Sequence, residues 1–170
     1  MIATRRRALL PLATLVAAVT LSGCGAIADA VLGENPPPAQ RSEPGGEVTA
    51  SADADVFTLQ VGDCLNYMQD EGSSEISSLP TVPCSEPHDA EIYAETTVTE
   101  EQFATVDDVA DQYCYDQFAG YVGAAYEDSA LYYSTLVPTP DGFAAGDDVV
   151  QCVVVQETGG LTATVQGTGL

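Results

Sequence analysis

Hydrophobic and polar positions alternate along much of this chain. Phe57, Leu59 and Val61 alternate with Thr58 and Gln60, which predicts a strand with one buried face. Gly62-Asp63 punctuates it, and Cys64 to Met68 forms a second short run before a polar loop over residues 69–75. Residues 76–83 are extended but broken by prolines, as in an edge strand or a loop. Asp89 to Thr99 alternates again, with Ala90, Ile92, Ala94, Thr96 and Val98 on one side.

The period then changes. Val106, Val109, Ala110, Tyr113, Cys114, Phe118, Tyr121 and Val122 recur at three- and four-residue spacing, which predicts a helix over 105–122. Thr105 to Asp108 fits a capping box, acids gather in the first turn, and Gly123 suits a helix stop. Leu131 to Val137 is an apolar, tyrosine-rich strand, followed by turns at Pro140-Asp141-Gly142 and Gly146-Asp147. Val149 to Val155 is apolar on nearly both faces, as in a central strand. Gly159-Gly160 predicts a reversal into a closing hairpin strand over 161–165. The fold class expected is α+β: a mostly antiparallel sheet with one main helix, in a single small domain over residues 55–170.

Residues 1–23 read as an export signal. Arg5-Arg6-Arg7 precede an apolar run, Ala8 to Leu21, too short for a comfortable membrane span. Arg6-Arg7-Ala8-Leu9-Leu10 also resembles a twin-arginine signal. Leu21-Ser22-Gly23-Cys24 resembles the lipobox of bacterial lipoproteins. That likeness implies cleavage before Cys24 and attachment of diacylglycerol to its thiol, with acyl chains such as palmitate holding the chain at the membrane. Residues 24–54 are rich in proline, glycine and acid and are expected to form an extended tether. The expected location is the extracytoplasmic face of the cell membrane.

Composition narrows the partners. There are 26 acidic residues against four basic ones, and no Lys or Arg follows Asp55. Such a surface repels nucleic acid and anionic headgroups. It suits solubility, a cationic partner or a divalent ion. Beyond Cys24, an even set of four cysteines in an exported domain argues for two disulfides. Three pairings are open; Cys64–Cys84 and Cys114–Cys152 are favoured, stapling the 69–75 excursion and tying the helix to the central strand.

Candidate chemistry centres on the one histidine. His88 is followed by Asp89 and, three positions on, by Glu91, so these three are the candidate binding residues. Ser85-x-x-His88-Asp89 invites a triad, but a triad is a spatial arrangement, and no Gly-x-Ser-x-Gly or His-Glu-x-x-His occurs. The simpler expectation is a loop histidine bonded to backbone or to a nearby carboxylate. No metal set is expected: there is no Cys-x-x-Cys, and no Asp-x-Asp-x-Asp-Gly loop for calcium. No cofactor is expected either.

Phe57 to Asn66, then Val82-Pro83-Cys84-Ser85-Glu86-Pro87-His88-Asp89-Ala90-Glu91, resemble the septum formation domain of actinobacterial envelope proteins. Cys114, Gly146-Asp147 and Cys152 follow in that family's order, the glycine-terminated closing hairpin also resembles that family, and Phe143 stands where a tryptophan is expected. The resemblance implies a place in the envelope and a process, cell-division septum formation, without catalytic residues. The function expected is a non-enzymatic interaction module, its partners being envelope or division proteins. The alternatives are a small-ligand-binding lipoprotein and a wall hydrolase using His88.

Overall fold

The computed structural model describes residues 36–70 and 75–170. The export signal, Cys24, the first part of the tether and the middle of the 69–75 loop lie outside the described residues. Six strands form one sheet: β1 (Ala52–Asp55), β2 (Cys64–Leu65), β3 (Ser78–Val82), β4 (Ala90–Thr97), β5 (Tyr132–Leu136) and β6 (Val149–Val155). The order is β1-β3-β2-β4-β6-β5, and every pair is antiparallel. Among the described residues three α-helices complete it: α1 (Glu100–Phe103), α2 (Val106–Val122) and α3 (Pro140–Ala145). The class is α+β with one main helix, as the patterning predicts.

The two sheet faces are built differently. Cys152 and Val154 of β6 face α2 and pack with its Cys114, Phe118 and Val122. Val153 and Val155 face the other way, into a second core with Ile92, Leu65 and Leu79. With both faces and both edges of β6 covered, its apolar run needs no alternation. A bulge between Ile92 and Ala94 interrupts the β4–β6 register, and Tyr93 and Ala94 both join the helix-side core. Ala90 and Ile92 therefore lie on the face away from α2, whereas Ala94 lies toward it. The single apolar side expected for 89–99 is corrected: the bulge switches sides halfway.

Other expectations are corrected as well. Phe57–Val61 is not a strand; Val56–Thr58 is a 3₁₀ turn, and the strand lies earlier, at β1. Residues 36–54 are not a free tether, because Ala39 and Val48 are buried with the core and β1 pairs with β3. Nor is β3 an edge. Pro80 is tolerated because its carbonyl accepts from Asn66, just past the end of two-residue β2, so no ladder bond needs the missing N–H. The capping box sits at Thr99 and Gln102, starting α1, while Thr105 caps α2 without a side-chain bond. Gly123, at φ 88°, ends α2 as expected. Pro140-Asp141-Gly142 opens α3 rather than a turn, with the Thr139 hydroxyl accepting from Gly142 N–H. No hairpin closes the chain: Leu161 makes an isolated bridge to His88, and residues beyond it run as bends and turns.

Two disulfides are present. Cys64 is bonded to Cys84, with Cα atoms 5.2 Å apart, and Cys114 to Cys152, with Cα atoms 5.4 Å apart. This is the favoured pairing. No helix among the described residues is long and apolar enough to cross a membrane.

Candidate functional site

The two halves of the Gly-Asp-Cys and Pro-Cys-x-x-Pro-His-x-x-Glu pattern meet on β2 and β4, where Cys64 lies opposite Glu91. Gly62 turns the chain at φ 96°, a left-handed conformation that favours glycine, and its N–H donates to Ile92 O at 2.7 Å. Asp63 is buried, and one of its oxygens accepts from Gln60 N–H at 2.9 Å. Its carboxylate is gripped by both Nη atoms of Arg41, with Nη1–Oδ1 at 2.6 Å. Arg41 Nη1 also donates to Gly46 O at 2.9 Å. A fork-to-fork ion pair thus holds residues 41–46 to the β2 turn.

His88 is buried, and its backbone exchanges bonds with Leu161 at 3.0 and 3.1 Å. Nδ1 lies 2.8 Å from Glu86 O; a carbonyl only accepts, so Nδ1 carries the hydrogen. Nε2 is buried without a partner. The imidazole thus locks the Pro83–Glu86 turn through backbone, and its bond does not go to Ser85 or to a carboxylate. Asp89 Oδ1 accepts from Tyr67 N–H at 2.6 Å and Met68 N–H at 3.4 Å. Burial pushes the Asp89 carboxyl above its ordinary value, partly offset by those two backbone donors and by His88.

Glu91 is fully buried. Oε1 accepts from the Tyr121 hydroxyl and from Thr164 Oγ1 at 2.6 Å, and Oε2 accepts from Val165 N–H at 2.8 Å. Burial and this carboxylate both push the Tyr121 phenol up. Glu91 therefore ties the end of α2 and the C-terminal segment to the sheet. The C-terminal segment in turn caps α2: Gly167 N–H donates to Tyr121 O and Gly169 N–H to Val122 O, both at 2.8 Å.

The three candidate residues are thus neighbours in sequence without forming one cluster. Each bonds to a different part of the domain, and none of them bonds to another. Among the described residues, no group of three or more His, Cys, Asp or Glu side chains could hold a metal ion. Arg41, Tyr121 and Thr164 escape a sequence reading, although Arg41 has a signal: it is the lone basic residue between the signal segment and the acidic remainder.

A different feature is open to solvent. On the sheet face away from α2, at the end of the sheet where β6 begins, lies a cleft of about 1400 Å³. Its floor includes Glu95, Gln151 and Leu136, which the register sets side by side across β4, β6 and β5. Phe57 of the 3₁₀ turn and Asp147 after α3 line it too.

The family model for septum formation matches residues 61–169, nearly all of this sheet and its helices. The chain belongs to the septum formation family. No curated protein and no solved structure matches it. In this septum formation domain the matched region begins at the β2 turn, so Asp63 lies within it, whereas its partner Arg41 and strand β1 lie before it. Phe143 keeps an aromatic contact where the family resemblance expects a tryptophan, stacking on Phe103 with ring centroids 4.1 Å apart.

Proposed function

We propose that this septum formation domain acts as a non-enzymatic interaction module of the cell envelope, held at the extracytoplasmic face of the membrane by lipid on Cys24. Its partners are envelope or division proteins. One observation supports this reading above others: the polar side chains of the family pattern point inward and bond to their own chain. Asp63 meets Arg41, Asp89 meets the Tyr67 amide, and Glu91 meets Tyr121, Thr164 and Val165. Groups used in this way position strands; they do not present a nucleophile or a base to a substrate. The export signal and lipobox-like Cys24 support the location.

The test is carried out in cells. A fluorescently tagged full-length protein is expected to concentrate at division sites, and Cys24→Ala is expected to release it from the membrane fraction. His88→Ala is expected to lose septal enrichment only as far as it loses thermal stability. Uniform distribution of the wild type, or its recovery from cytosol with every thiol reduced, would overturn the proposal.

A further inference from the structure

The open cleft has the properties of a binding groove for one kind of partner. Its floor exists because of the β4 bulge, which turns Glu95 to the face away from α2, level with Gln151 and Leu136. Elsewhere on that face Ile92, Val153 and Val155 are covered by the core. At this end Gln151 is buried, its Nε2 donating to Leu59 O at 3.2 Å, while Glu95 and Val149 beside it stay exposed. Phe57 is 69% exposed and Val149 38% exposed, and both line the cleft. Large apolar side chains at a concave, uncovered face mark a contact surface more often than scattered ones do.

The charge of the lining selects the occupant. Glu75, Glu95 and Asp147 line the cleft, with no Lys or Arg among the lining residues. The domain has no cation to spare for it, since no Lys or Arg follows Asp55 and Arg41 is held by Asp63. A second copy of this chain would set acid against acid, and nucleic acid would be repelled. Thr135 to Val137, at the end of β5, line the cleft too, and β5 is the last strand of the sheet. An extended segment laid across these strand ends places alternate side chains on the floor.

The geometry points to this cleft as the docking site for an extended peptide segment of a partner protein, bearing both basic and apolar residues. The basic side chains meet Glu95 and Asp147, and the apolar ones meet Phe57, Leu136 and Val149. This deepens the interaction-module reading and rests on it.

The probe is a fluorescein-labelled peptide of alternating lysine and valine, titrated with the full chain and followed by fluorescence anisotropy. Saturable binding is expected. Glu95→Lys and Phe57→Ala should each weaken it about tenfold, with thermal midpoints matching wild type. Glu157→Lys makes the same charge change on an exposed turn beyond the opposite end of β6, and should stay within about twofold. Three results would overturn the assignment: no saturable binding, equal binding of a glutamate–valine peptide, or an equal loss from Glu157→Lys. Self-association of the chain in sedimentation that Phe57→Ala abolishes would reassign the cleft to a second copy, and so overturn it too. Photocrosslinking in intact cells separates the two proposals. Capture from position 115 on α2 but not from position 57 sinks the cleft and leaves the interaction module standing, while capture from neither position sinks both.

Discussion

Glu91 is the side chain on which most of the domain converges, and its effect is a matter of buried donors. Glu91→Ala leaves the Val165 amide and the Tyr121 and Thr164 hydroxyls without their acceptor. An unsatisfied buried donor costs about 1–3 kcal/mol; Val165 is buried, Tyr121 half-buried and Thr164 exposed, so the variant should lose about 2 kcal/mol in urea unfolding. A loss below about 1 kcal/mol would show that water replaces the carboxylate. Asp89 makes a different prediction, because burial raises its carboxyl above the ordinary 3.8. A raised carboxyl binds its proton more tightly folded than unfolded. Its contribution is therefore fully present below pH 3.8 and is lost as pH rises through the folded-state value. Asp89→Asn keeps an oxygen for the Tyr67 amide without the charge. Its melting temperature should gain on wild type as pH rises from 3 to 7, and a gap independent of pH would refute the assignment.

Among the elements, the two disulfides differ in position as well as in loop length. Cys64, Cys114 and Cys152 are fully buried, whereas Cys84 is half-buried near a turn. A reductant reaches a sulfur only where solvent does, so limited reduction of the native chain should expose Cys64 and Cys84 to alkylation first. Peptide mapping by mass spectrometry checks this, and early labelling of Cys114 would contradict it. The Cys114–Cys152 bond closes 38 residues against 20 for Cys64–Cys84. On chain entropy alone its loss should cost about 4 kcal/mol against about 3. Element type was largely legible in the sequence: the α2 periodicity and the β6 apolar run sit where patterning puts them. The failures share a cause. Phe57, Leu59 and Val61 alternate like a strand, but the Asp55 side chain accepts from Phe57 N–H and starts a 3₁₀ turn instead. Leu161–Val165 also alternates, yet its bonds go to His88 and Glu91 rather than to a neighbouring strand.

For the molecule as a whole, the segment before the family match is part of the fold. Asp63 is buried and the Arg41 side chain is 9% exposed, so Arg41→Ala leaves a buried carboxylate without its partner. A loss of about 3 kcal/mol is expected, and Asp63→Asn in the same chain should recover part of it. Equal stability of Arg41→Ala and wild type in guanidinium would mean that residues 36–51 are not anchored by this pair. Net charge acts at this scale too. A chain of formal charge −22 attracts cations over its whole surface, so a cleft-specific peptide must be told from diffuse attraction by where a charge reversal acts.

The sequence by itself determined the main helix, the central strand, the fold class and the family, because spacing and turn chemistry act over a few residues, but it left three disulfide pairings open. Tertiary structure alone decided which way the side chains face and whom they meet. A single bulged residue, Tyr93, reverses the two faces of β4, and no periodicity announces it. Glu91 finds the Val165 amide 74 residues away, and Arg41 finds Asp63 across 22. Such pairings follow from how strands and segments stack around a shared core, which is a property of the folded chain and not of any stretch within it.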